Sequence, residues 1–270
     1  MLSGIGVHSG LSSTVRIHQD ADPTQPIRFY RNGKFIPTLV SHVASTERTT
    51  TLGDASGLYK VSLVEHILAA LYVANIWSGL VIEVSQEELP ILDGSAQPWY
   101  DLVSDLDHRP KQEITLPRRF KHKQDASSIS ITPSKDSKLT ATIDFEHPAI
   151  GQQTWSASPE QYTDLLAART FVLAEWLEDL QAKNLGLGIR EDNCAIIRDD
   201  YDLDTLYRFK NEAVMHKALD ALGDLFLLGA PLAGELSMTR GSHYLHVAFV
   251  KLVYQYIEEQ KSNKKAKSKN

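Results

Sequence analysis

Along the first third of the chain, apolar and polar residues alternate in short runs. STVRIHQD (13–20) has the period of two expected of a strand. IRFYRNGKFIP (27–37) reads as two short strands around Asn32-Gly33, a strong hairpin signal. The rhythm then becomes helical over SLVEHILAALYVANI (62–76), where Leu63, Ile67, Ala70 and Leu71 share one side. SGLVIEVS (78–85) returns to a strand, and ILDGSAQPW (91–99) is a turn. A short helix starts near Pro98. The proline- and charge-rich 109–119 reads as a linker, which places an N-terminal domain at 1–108.

The second half repeats this order. Residues 127–147 hold two strands, and 158–184 contain helices, the first opening at Ser158-Pro159-Glu160. CAIIRD (194–199) and GELSMT (234–239) are strands. Between them lies the helix AVMHKALDALGD (213–224), and HYLHVAFVKLVYQYIEEQ (243–260) is a closing helix. VEHILAAL (64–71) is echoed by VMHKALDAL (214–222). The expected fold class is therefore α+β. Two similarly built domains, 1–108 and 120–260, would pack face to face with a site between them.

The helix at 213–224 carries an unusual stripe. With His216 at zero, Asp220 falls at roughly 40° and Asp224 at roughly 80°, while Leu219, Leu222, Leu225 and Phe226 lie opposite. Such a stripe is either a solvated face with a His–Asp contact or one side of a metal site, since His and Asp four residues apart can reach one ion.

Composition narrows these choices. The 270 residues include one cysteine, Cys194, and ten histidines, so neither an intramolecular disulfide nor a multi-cysteine zinc site can form. A metal would be held by His, Asp or Glu. The net charge of −6 argues against nucleic acid as the main partner. No secretory signal or membrane-spanning run is evident, and the cytoplasm is the expected location. The tail at 261–270 holds five lysines and no acid. It is either a disordered solubilising end or a source of weak attraction to anionic membrane surfaces.

The echoed helices suggest the chemistry. His66, His216 and Asp220 would supply three ligands and leave a fourth position open, the pattern of a catalytic zinc ion, Zn2+. Glu65 could then take a proton from water, and Lys217 could stabilise an oxyanion. His243 stands at a helix start, which disfavours imidazolium, and a carboxylate such as Asp224 would restore it. Taken singly, each of these residues also fits an ordinary helix surface or core.

Together, SGIGVHSG (3–10), VEHILAAL, ELPILDGSAQPW (88–99), ARTF (168–171), NEAVMHKALDALGDLFLLG (211–229) and RGSH (240–243) resemble one family. This is UDP-3-O-acyl-N-acetylglucosamine deacetylase, the zinc amidase of lipid A biosynthesis. The resemblance covers nearly the whole chain, and H-K-x-x-D-x-x-G-D with an upstream V-E-H is its most specific part. It implies two packed α+β domains with Zn2+ held by His66, His216 and Asp220. It implies Glu65 as general base, His243 as general acid supported by Asp224, and Thr170 and Lys217 as stabilisers of the tetrahedral intermediate. A small insert at 184–193 would help form an acyl-chain passage. The substrate implied is a UDP-linked, 3-O-acylated N-acetylglucosamine. The expected protein is a cytoplasmic monomer, with the lysine-rich tail as the one source of peripheral association with the inner membrane.

The chain departs from the family at several points. A strand that normally precedes SGIGVHSG is expected to be either missing or left out by a misassigned start. Leu63, Met215, Ile189-Arg190 and His246 replace the family's usual residues. The alternatives are a homologue without turnover that binds metal or UDP-lipid, and a zinc amidase for another N-acyl sugar.

Overall fold

A computed structural model describes residues 1–107 and 109–267. The domain boundary expected at His108 and the last three residues of the tail lie outside the described residues. The first sheet has strands β1 (Leu2–Ile5), β2 (Ser12–Gln19), β3 (Arg28–Arg31), β4 (Lys34–Pro37) and β5 (Leu80–Val84), in the order β1-β2-β5-β3-β4. The second has β6 (Phe120–Gln124), β7 (Ser127–Thr132), β8 (Lys138–Asp144), β9 (Gln152–Ala157) and β10 (Glu235–Thr239), in the order β6-β7-β10-β8-β9. The two orders are the same. In each sheet the third and fifth strands pair in parallel, and the other pairings are antiparallel.

The helices repeat too. Helix α1 (Glu65–Val73) lies between the fourth and fifth strands of the first sheet, and α2 (Glu212–Phe226) lies between those of the second. The chain is thus an α+β fold built twice on one plan, and the echo between residues 64–71 and 214–222 marks equivalent helices. Helix α3 (His243–Lys267) follows the last strand, as the short helix Gln97–Val103 follows β5.

Local chemistry explains the main turns. Asn32 and Gly33 have φ of 49° and 79°, as a type I′ hairpin turn requires. Helix α1 is buried from Glu65 through Leu71, and α2 buries every residue except Lys217. These are central helices without a solvated face, so the His216–Asp220–Asp224 stripe is buried rather than spread on the surface. One hydrophobic core runs through both sheets and both helices, from Val15, Phe29 and Ile82 to Ile129, Leu139 and Met238. Trp77 stacks on Phe226 with ring centroids 4.5 Å apart.

Three segments differ from the sequence-based expectation. Leu2–Ile5 forms an edge strand paired with β2, where the pattern had assigned none. Residues 158–184 are less helical than expected. Pro159–Leu165 and Ala174–Trp176 are 3-10 turns, and Leu177–Ala182 is a short helix. Phe171–Leu173, three residues of good strand propensity, instead pairs in parallel with Ala195–Ile197. The lysine-rich end is not a separate coil as far as Lys267, because α3 continues through it. No helix among the described residues is long and apolar enough to cross a membrane.

Candidate metal centre and active site

Each half contributes an insert between its fourth strand and its central helix. In the first, strands Val43–Ser45, Thr51–Gly53 and Lys60–Val61 form a small sheet. In the second, the pair Phe171–Leu173 and Ala195–Ile197 brackets residues 174–194. A cavity of about 400 Å³ opens between these inserts and the N-terminal ends of α1, α2 and α3. Its polar wall carries Glu65, His66, Thr170, His216, Lys217, Asp220 and His243. Its apolar wall includes Leu63, Ile91, Phe171, Val172, Trp176 and Ile189. The segment at 184–193 reaches the cavity by backbone contacts, in which Leu187 and Gly188 donate N–H to the carbonyls of His8 and Val7.

His66, His216 and Asp220 meet in the floor of the cavity, each almost completely buried. Asp220 Oδ1 lies 3.4 Å from His216 Nε2 and 3.8 Å from His66 Nε2. His216 Nδ1 must carry the ring proton, because it donates to the Ala168 carbonyl at 3.0 Å. Its Nε2 is therefore a bare lone pair facing a carboxylate oxygen. Burial lowers both imidazoles, His66 to about 3, so neither ring supplies a compensating charge. For Asp220, burial works against ionisation, but the Lys217 ammonium that donates to it helps hold its carboxyl well below the ordinary range. His66 Nδ1 is buried with no hydrogen-bond partner among the described residues. Lone pairs converging at these separations repel one another unless a cation lies between them. Their spacing is close to the ~3.3–3.6 Å that separates ligands on a tetrahedral ion with bonds of about 2.0–2.2 Å. These residues therefore fit a divalent metal.

A second cluster of possible ligands, Asp224, His243 and His246, is arranged differently. His243 and His246 both donate Nδ1–H to Asp224 Oδ2, at 2.8 and 2.9 Å. This is a satisfied hydrogen-bond network rather than converging lone pairs.

Glu65 and His243 face each other beside the metal-type cluster, with Oε1 and Nε2 3.6 Å apart. Burial raises the Glu65 carboxyl to about 7, against the opposing pull of the His243 imidazolium. Burial would depress His243, but the Asp224 and Glu65 carboxylates overcome it and hold the imidazole at about 10. Lys217 Nζ donates to Asp220 Oδ2 at 2.9 Å and lies over the Phe171 ring. Thr170 is held by its backbone, which donates N–H to Gly94 and accepts from Ala195.

Several supports carry no sequence motif. Thr49 donates its hydroxyl to Glu65 at 2.7 Å, and Thr50 donates its backbone N–H to the same carboxylate at 3.0 Å. Thr50 then donates its hydroxyl to Asp224 Oδ1. Two adjacent residues from the first insert thus hold carboxylates on both central helices. Arg169 grips buried Glu212 through Nε and Nη2 at 2.8 and 3.1 Å, which ties the Thr170 segment to the start of α2. His246 lies three residues after His243, so helical spacing alone would have put both rings on one face of α3.

Two sheets of the same strand order, with a buried cluster suited to a divalent cation where their central helices meet, define a class of duplicated α+β proteins. The family to which the sequence matches within that class is specific. Residues 1–255 match the model of LpxC, UDP-3-O-acyl N-acetylglycosamine deacetylase, and the chain belongs to that family. Among its relatives, the UDP-3-O-acyl-N-acetylglucosamine deacetylase of Leptospira biflexa is 34% identical over 262 residues, 93% of this chain and 86% of its own. That of Thermosynechococcus vestitus is 34% identical over 261 residues, 94% and 90% of the two chains. That of Aquifex aeolicus is 32% identical over 253 residues, 92% and 88%.

Proposed function

We propose that this protein removes the N-acetyl group from a UDP-3-O-acyl-N-acetylglucosamine, releasing acetate and a free sugar amine, as a step of lipid A biosynthesis. The family membership and the names of the relatives support the reaction. The observation that carries the mechanism is the facing of Glu65 and His243 beside the His66–His216–Asp220 cluster.

Zn2+ is the ion best suited to two imidazoles and a carboxylate. When bound, it supplies Lewis-acid polarisation of the amide carbonyl and acidifies water. Glu65, with a carboxyl near neutral, accepts the proton of the attacking water. His243 has its Nδ1–H committed to Asp224, so the proton it can deliver is the one on Nε2, which faces Glu65. That proton goes to the nitrogen of the breaking amide bond, and Asp224 keeps the ring charged until then. Lys217 and Thr170 line the same wall, where Lys217 adds positive charge near the developing oxyanion. The apolar wall through Phe171, Val172, Trp176 and Ile189 gives the 3-O-acyl chain a dry surface to follow.

The test is release of acetate from a panel of UDP-3-O-acyl-N-acetylglucosamines, with zinc measured on the same preparation. Turnover with about one zinc per chain is the expected result. Zinc binding without turnover on any member of the panel overturns this reading. It would leave a binding protein or an amidase for another N-acyl sugar.

A further inference from the structure

Asp224 gives one carboxylate oxygen to two histidines from the same turn of α3. His243 Nδ1 lies 2.8 Å from Oδ2 and His246 Nδ1 lies 2.9 Å from it, with the two rings nearly perpendicular at 83°. Thr50 takes the other oxygen. The carboxylate therefore accepts from three side-chain donors, two of them on Oδ2. His246 does not line the cavity and is completely buried.

The surroundings are built to hold that ring. Its Nε2 contacts the Met238 sulfur on β10 at 2.8 Å, so the ring's strong hydrogen bond is the one from Nδ1 to Asp224. Gly241 packs at the same end of the ring. A Cβ there would fall 2.2 Å from Met238 Sδ and 2.6 Å from His246 Nε2, so the glycine of RGSH leaves the space that this ring fills.

We infer that His246 is a positioning residue for His243 and acts through Asp224. Rotation about the terminal bond of an aspartate is soft, because that torsion has broad wells. With Thr50 and His243 as its only partners, the Asp224 carboxylate could swing, carrying the His243 ring with it. A second donor on the same Oδ2 pins the carboxylate plane. It thereby fixes where His243 Nε2 points relative to Glu65. A phenylalanine ring in this buried place would leave Oδ2 with His243 as its only donor. His246 touches neither cavity nor substrate, and its loss should appear in kcat while KM is unchanged.

This inference rests on the proposed deacetylase reading, and the test separates the two. Acetate release is measured for the unaltered chain, His246→Phe and His246→Asn, with zinc content for each. In asparagine, Nδ2 occupies the same bonded position as Nδ1 of histidine, so it can still donate to Asp224. Expected is a fall in kcat of about tenfold for His246→Phe, the weight of one hydrogen bond to a charged group, with KM and zinc unchanged. His246→Asn should recover kcat to within about threefold of the unaltered chain. His246→Ala removes the donor without adding volume, and gives the same reading if phenylalanine is not accommodated. In an Asp224→Ala background, His246→Phe should have no further effect, as coupling through the carboxylate demands. Unchanged kcat in His246→Phe, equal losses in the Phe and Asn variants, or an undiminished effect without Asp224 each overturn the inference. An unaltered chain without turnover overturns the deacetylase reading itself, and this inference with it.

Discussion

Gly223 of α2 lies directly against the backbone of Glu65 in α1. A Cβ at Gly223 would stand 2.1 Å from the Glu65 carbonyl oxygen and 2.8 Å from its carbonyl carbon. Both are backbone atoms inside a helix, so no side-chain rotation can relieve the overlap. The glycine lets the two central helices approach closely enough for His66 on one to meet His216 and Asp220 on the other.

Gly223→Ala should therefore be destabilising, although alanine is the better helix former. The propensity gain is about 1 kcal/mol, whereas overpacking against fixed backbone costs about 1–3 kcal/mol and displaces the helix that carries Glu65 and His66. Expected is a lower thermal midpoint together with weaker zinc retention. A variant as stable as the parent chain, with full zinc, would mean that the helices yield without disturbing the site.

Much of this arrangement was legible in the chain, for identifiable reasons. The hairpin at Asn32-Gly33 and both central helices follow from local residue preferences. The echo between 64–71 and 214–222 reflects a real duplication of strand order. Residues His66, His216 and Asp220, which the structure brings together, could be singled out because helical spacing and motif order survive in one dimension. Thr49 and Thr50 were not, because a threonine before a strand has no distinctive pattern and its value here depends on an insert folding over α1. Nor could periodicity foresee Phe171–Leu173 as a strand, since its partner is more than twenty residues away at Ala195–Ile197. The stripe on α2 was ambiguous for a related reason. Only tertiary packing shows that the face opposite the leucines is also buried.

Thr49→Val tests the support of the base. The substitution keeps shape but removes the hydroxyl that reaches both oxygens of Glu65, at 2.7 and 2.9 Å. The Thr50 N–H remains. Losing one hydrogen bond to a buried charged group is worth about 1.5–3 kcal/mol, so kcat should fall by about one to two orders of magnitude. Zinc content should not change, because Glu65 is outside the ligand cluster. Steady-state kinetics alongside metal analysis would decide, and parental kcat would remove Thr49 from the account.

His216→Ala and Asp220→Ala should lose zinc and activity in parallel. Each removes one of three converging donors, and the remaining two cannot complete a site that is closed except for the cavity side. Chelation of the unaltered chain should abolish turnover, and added zinc should restore it. Full metal occupancy in both variants would place the ion elsewhere. By contrast, Glu65→Gln should keep its zinc while turnover falls by about a hundredfold or more, as expected for loss of a general base.

The pH dependence follows from His243. Its imidazole stands at about 10 because the Asp224 and Glu65 carboxylates outweigh the opposing effect of burial. A general acid must be protonated, so kcat/KM should be sustained above neutrality and decline as pH rises through about 10. The acid limb belongs to Glu65, whose carboxyl stands at about 7 without a cation, and a bound divalent ion can only draw that limb lower. Stability has the same sign as the alkaline limb. A group raised above its ordinary 6.5 contributes stability that is fully present below that value and is lost as pH rises through about 10. The difference in unfolding free energy between the parent chain and His243→Gln should therefore shrink steadily across that window. Rate profiles and denaturant titrations at a series of pH values measure the two effects independently. An alkaline limb that persists unchanged in His243→Gln would assign the proton donor to another group, and the paired carboxylates around His243 would then serve the fold alone.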